Sequence, residues 1–408
     1  MNSLEAINKI VSIAQLGDSE SDTNTPYKMF GFGPDAIKFC GENIHLYIET
    51  IEYLYTANKE VEKTITFKEY ESKLMAYFYD IFLNESNVTA CQYNDFIKEI
   101  EAIPVEEHIV YRPIYGIHLE DKSNVLKLGP YRFLHFPTMK DSLPGSDTES
   151  AKIIWERNIH EYLIGYPVTS RHNQKSIEIA DKYFHKFELV IRYMLGNANG
   201  KFEIGILNFE GTWFDHAYVY RRDGPSGTAS NKSGSHETVP LDNTYFSESA
   251  GGYDFVWNMV CENERLSKFQ SRLLLAIEWI GQAMIEKSYA SAFIKAAISL
   301  EIIFTHSEKV IVNASILSQI CENTALLLGS NSEDCLEIEK NAKRLYGLRS
   351  AIVHSGKKDV ERKEFSQMLQ LSRAVVTRIV SDKELSGLRN VEEFYRLMKL
   401  KKYSCSPI

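Results

Sequence analysis

Leu345-Tyr-Gly-Leu-Arg349-Ser-Ala-Ile-Val-His354-Ser-Gly356 decides how the C-terminal third of the chain is read. Ile338, Ala342, Leu345, Leu348 and Ile352 recur at three- and four-residue spacing through it, which is the buried stripe of a long helix. Ser355-Gly356 supplies its stop. Similar periods surround it, predicting helices over about 264–287, 289–307, 312–329, 333–354, 360–381 and 391–400. Gly329-Ser-Asn-Ser marks one of the turns between them. Together they predict an all-α bundle of about 140 residues.

The pattern upstream is different. Ile44–Ile51, Thr64–Phe67, Ile109–His118 and Val125–Pro137 are rich in Ile, Val, Thr, Tyr and Phe, with polar residues at near-alternate positions, and read as strands. A helix is expected near Asp95–Ile103, another over Ser176–Leu195, and a strand over Phe202–Phe209. Residues 139–150 read as a turn-rich connector and residues 223–252 as a long loop. The expected class is therefore α+β: a β-rich N-terminal region over 1–260, then a helical bundle over 261–408.

The 408 residues carry a net charge of -9, which argues against indiscriminate nucleic-acid binding by the whole chain. The charge is unevenly spread. Residues 1–110 hold 19 acidic against 8 basic residues, whereas residues 340–363 hold 8 basic against 2 acidic. A basic window inside an acidic chain points to a local anion site, although a solvated helix face has the same composition. The six cysteines, Cys40, Cys91, Cys261, Cys321, Cys335 and Cys405, contain no CxxC and no metal-ligand spacing. They read as reduced thiols. No secretion signal and no apolar run of membrane-spanning length is evident, so a cytoplasmic protein is expected. Gly31-Phe-Gly33 lacks the further glycine of a dinucleotide fingerprint, and no Gly-x-Ser-x-Gly elbow occurs.

Arg349 lies four residues after Leu345 and three before Ile352, on or beside the buried stripe. Glu301 sits on the apolar face of an earlier helix, within Ser-Leu-Glu-Ile-Ile-Phe304. Two opposite charges near a core are expected to pair. The pair either fixes helix register and does nothing more, or holds Arg349 toward an incoming phosphate. His354 discriminates between the two. Five positions at ~100° each place it ~140° round the helix from Arg349. Either the last turn unwinds or a second copy supplies the missing partner. Arg and His together suit RNA cleavage without a metal: an imidazole exchanges protons with the 2′-OH or the leaving 5′-oxygen, and a guanidinium stabilises the phosphorane oxygens. No cofactor is expected. Lys343, Arg344, Ser350, Lys357 and Lys358 are the expected RNA contacts around this pair. Asp215-His216 are sequence neighbours, which point to opposite faces of a strand, His172 and His185 have no ligand-spaced partner, and Trp155, Trp213, Trp257 and Trp279 read as core anchors.

Ala290-Ser-Ala-Phe-Ile-Lys-Ala-Ala-Ile-Ser-Leu-Glu301-Ile-Ile-Phe and the Arg349-x4-His354 stretch resemble the HEPN superfamily, and more narrowly the Apea-like HEPN domains of bacterial defence proteins. The resemblance covers about residues 265–385. It implies a helical domain that dimerises, or forms a higher even oligomer, and cleaves RNA (tRNA among the candidates) without metal in abortive anti-phage defence. Arg349 and His354 would then be the catalytic pair and Glu301 their support. The N-terminal region would sense a phage-derived trigger. Many members carry Asn, Asp or His after the Arg, where this chain has Ser350. Members controlled by AMP transfer carry Tyr where this chain has Gly356. The competing readings are a non-catalytic RNA-binding or dimerisation module, and a carbohydrate- or protein-binding β domain with a helical tail.

Overall fold

A computed structural model describes residues 2–17, 26–84, 86–143, 161–195, 204–206, 216–219, 227–230, 238–242, 250–262, 265–305, 316–356 and 359–404. The α+β class holds: a mixed α/β region with sheets is followed by a largely helical C-terminal region. The chain forms two compact units, residues 1–110 with 167–181, and residues 111–166 with 182–408.

The first unit opens with α1 (Ser3–Ile13), started by a reciprocal Asn2–Glu5 capping box. β1 (Gln15–Leu16), β2 (Tyr27–Phe30) and β3 (Ile37–Cys40) form an antiparallel sheet in the order β1-β3-β2. Five helices follow: α2 (Glu42–Ala57), α3 (Lys59–Thr64), α4 (Phe67–Tyr77), α5 (Tyr79–Leu83) and α6 (Ala90–Glu101). The expected strand at Ile44–Ile51 is thus part of α2. Its buried residues Tyr47, Thr50, Ile51, Leu54 and Tyr55 recur at helical spacing, and their β-favouring residue types misled the reading. The expected strand at Thr64–Phe67 is the junction of α3 and α4, where Thr66 caps the second helix. Ile7, Ile10, Phe39, Tyr47, Leu54, Tyr70, Leu74 and Phe96 form one buried core. Glu71 is buried within it, accepts from the Tyr47 hydroxyl at 2.9 Å, and pairs with Lys28. Burial first, and Glu71 second, hold the Tyr47 phenol well above its ordinary range.

β4 (Glu106–Ile114), β5 (Ile117–His118), β6 (Leu126–Leu128), β7 (Tyr131–His135), α7 (Phe136–Met139) and β8 (Tyr162–Ser170) come next, with β4 and β8 each crossing the division between units. Four of these strands form a sheet in the order β4-β8-β7-β6. The two later strand readings, Ile109–His118 and Val125–Pro137, therefore hold. α8 (Asn173–Leu195) matches the expected helix, and α6 the one near Asp95–Ile103. β9 (His216–Val219) pairs with β10 (Gly227–Ser230), and β11 (Val239–Pro240) runs parallel to β5. Most of the connector at 139–150, the strand at 202–209 and the loop at 223–252 lies outside the described residues.

The helical part of the second unit comprises α9 (Tyr253–Cys261), α10 (Lys268–Met284), α11 (Tyr289–Phe304), α12 (Ile316–Leu328), α13 (Ser332–Ser355), α14 (Arg362–Ser381), α15 (Lys383–Ser386) and α16 (Val391–Ser404). α11 packs against α10, α13 and α14, and α12 against α13 and α16. Gly281 on α10 permits a close approach: a Cβ there would lie 2.3 Å from the Leu189 carbonyl oxygen of α8. Among the described residues no helix is long and apolar enough to cross a membrane.

Candidate functional site

α13 carries the site because both its ends are well specified. Asn331 caps its start by accepting from the Asp334 amide, and Glu333 and Asp334 complement the positive end of the helix dipole. Gly356 ends it with φ 63°, a left-handed conformation suited to glycine, and donates its amide to the Ala351 carbonyl. Ala342, Leu345 and Tyr346 are its buried residues, while Ile338, Leu348 and Ile352 of the expected stripe are only half-buried.

Tyr346 was not among the expected site residues, yet it joins the two helices that matter. Its hydroxyl donates to the Ala297 carbonyl of α11 at 3.1 Å. Burial, then the neighbouring Glu301, hold its phenol well above the ordinary range. An aromatic three residues before Arg349, on the same stripe, was the available signal. One turn further along, Arg349 meets Glu301 of α11 as the sequence predicts. Nε donates to Oε1 at 3.0 Å and Nη2 to Oε2 at 3.3 Å. The side chains keep 27% and 25% of their exposure, so this fork is screened by water and contributes about 1 kcal/mol. Its chief effect is orientation. Two of the five N–H donors are committed to Glu301, and the rest of the guanidinium remains available to an oxyanion.

His354 stands in the last turn, exposed, with no hydrogen-bond or ion-pair partner among the described residues. α13 runs unbroken to Ser355, so the unwinding that would turn His354 toward Arg349 does not occur. At ~100° per residue, Leu336, Lys340, Lys343, Gly347, Ser350 and His354 share one face, ~100–180° away from Arg349. That face is open. Leu336 keeps 67% of its exposure, and a Cβ on Gly347 would have no atom within 4 Å.

The expected RNA contacts divide. Lys343 and Ser350 share the His354 face, although Lys343 is paired with Glu339 at 2.6 Å, which raises its ammonium pKa. Arg344 is exposed and donates to Asn341 at 3.0 Å and to Gln367 of α14 at 2.7 Å, with no carboxylate partner among the described residues. Lys357 and Lys358 lie outside the described residues. One chain therefore brings Arg349 and Glu301 together but aims His354 elsewhere. No group of three or more His, Cys, Asp or Glu among the described residues could hold a metal.

No protein-family model, no characterised protein and no solved structure matches this chain. The HEPN resemblance accordingly rests on the stretches around Glu301 and Arg349–His354.

Proposed function

We propose that the protein is a metal-independent endoribonuclease of the HEPN kind, assembled from two chains and acting in the cytoplasm in abortive anti-phage defence. The observation that carries this reading is the division of labour on α13: an Arg349 oriented by Glu301, and an exposed His354 on the opposite face with no partner among the described residues. Two α13 tips related by a two-fold axis put the imidazole of one chain beside the guanidinium of the other. The 2′-oxygen of the substrate then attacks the adjacent phosphorus, forming the O2′–P bond and breaking P–O5′. His354 takes the 2′-OH proton or returns one to the leaving 5′-oxygen, and Arg349 stabilises the phosphorane charge. The products are a 2′,3′-cyclic phosphate and a 5′-hydroxyl. The nucleophile belongs to the substrate, so no metal is needed to make one. tRNA and other structured cellular RNAs are the candidate substrates, and the N-terminal region is the candidate sensor of a phage-derived trigger.

The direct test incubates the full chain with total tRNA in EDTA and examines the termini of the fragments. Cyclic-phosphate ends from the wild type and none from His354→Ala are expected. Undiminished cleavage by His354→Ala would end the catalytic assignment. The bidentate engagement of Arg349 favours one rival, a non-catalytic RNA-binding or dimerisation module in which Arg349–Glu301 only fixes register. Under that reading Arg349→Ala loses thermal stability and the wild type cleaves nothing.

A further inference from the structure

A second cationic surface lies on the helical bundle and shares no residue with the α13 tip. It begins in an open depression of about 770 Å³ at the starts of α10 and α16. Arg265, Lys268 and Arg389 line it, all exposed, and none of these side chains has a hydrogen bond or ion pair among the described residues. The floor is tied down: the Ser267 hydroxyl donates to the Leu388 carbonyl at 3.0 Å, and the Phe269 amide to the Arg389 carbonyl at 3.1 Å. Ser267 and Asn390 already cap the two helices by accepting from the Gln270 and Glu393 amides. The positive potential therefore comes from side chains, not from free helix ends.

The surface continues. Glu392 lines both this depression and a groove of about 450 Å³ between α12 and α16. Arg396, Lys399 and Lys402 line that groove together with Tyr395 and Tyr403. Lys402 is paired with Glu322, whereas Arg396 and Lys399 have no partner among the described residues. Glu392, Arg396, Lys399 and Tyr403 follow one another at three- and four-residue spacing, hence on one face of α16. From Arg389 to Tyr403 the track is ~21 Å long at 1.5 Å per residue. Six cations line depression and groove against two carboxylates, in a chain whose overall charge is -9. Tyr403 ends the track with 73% of its surface exposed.

We infer that this track binds the sugar–phosphate chain of single-stranded RNA, with Tyr403 stacking on a base. Unpaired cations in a row fit successive phosphates, and an exposed ring accepts any base. A membrane surface fits less well, because Glu392 interrupts the cationic row and the exposed apolar residues of α16 are confined to Leu400 and Tyr403. The inference rests on the reading of RNA as the substrate, but binding alone tests it.

The experiment is fluorescence anisotropy of a short labelled single-stranded RNA with the full-length protein across a salt series. The triple variant Arg389→Glu/Arg396→Glu/Lys399→Glu should bind about tenfold or more weakly and show a shallower salt dependence. Tyr403→Ala should lose about fivefold or more with the salt slope unchanged. A triple variant that binds within twofold of the wild type overturns the inference. So does a wild type that sediments with anionic phospholipid vesicles through these residues while its RNA affinity ignores them. Should the triple variant misfold, Arg396→Gln, a single exposed change, gives the same reading on a smaller scale. A wild type that binds RNA through the track yet cleaves none removes the catalytic proposal and leaves this one standing.

Discussion

At the scale of single residues, the phenol of Tyr346 and the imidazole of His354 make opposite predictions. Tyr346→Phe removes a buried donor to the Ala297 carbonyl and should cost about 1 kcal/mol, or a melting temperature lower by about 2–4 °C. Calorimetry checks it, and cleavage should persist because the ring still packs. His354→Ala should leave the melting temperature unchanged, since the side chain is exposed and has no partner among the described residues, while under the proposed mechanism cleavage falls by about 10²-fold or more. The Arg349–Glu301 pair was legible in the sequence because two charges on apolar stripes have few stable arrangements other than pairing. The role of Tyr346 was not: its ring reads as ordinary core, and which carbonyl its hydroxyl reaches depends on how α11 lies against α13.

Helices and their contacts set the next scale. Gly281→Ala would press a Cβ against the Leu189 carbonyl, a backbone atom that cannot swing aside. A loss of about 1–3 kcal/mol in denaturant titration is expected. Glu278, also on α10, has its carboxyl pKa raised by burial, against the smaller opposing pull of Lys186 and His185. A raised folded-state value means the folded chain holds the proton more tightly than the unfolded chain. The stability gained that way is full below the ordinary value of 4.5 and is lost as pH rises through the folded value. Glu278→Gln should therefore melt higher than the wild type at pH 7–8, with the difference closing in acid. Helix boundaries in the C-terminal third were readable because long amphipathic periods are bracketed by residues such as Asn331 and Gly356. In the first unit the short runs around Ile44 and Thr64 misled, since β-branched and aromatic residues fill helical cores as readily as strands when a neighbouring layer covers them.

For the whole molecule, the unbroken α13 makes catalysis a property of two chains under the proposed mechanism. Arg349→Ala and His354→Ala proteins should each be inactive alone, yet mixing them should restore part of the cleavage, because a mixed pair retains one intact Arg–His combination. No recovery on mixing, with subunit exchange shown by sedimentation, would place both residues' work within one chain. The sequence could pose this choice only as an alternative between a frayed last turn and a second copy. It could not decide whether Ser355-Gly356 frays or caps, and the left-handed Gly356 with its amide on Ala351 caps.

The open face of α13 has one more consequence. Leu336, Lys340, Lys343, Gly347, Ser350 and His354 repeat at the 4-3-4-3 rhythm of a coiled-coil seam, but only the first is a large apolar residue. A face so poor in large apolar side chains would bury little if it paired with itself. Arg349 lies off this face, so the proposed meeting of His354 with the other chain's Arg349 needs two helices set side-on, and under that mechanism specific cleavage should climb with protein concentration.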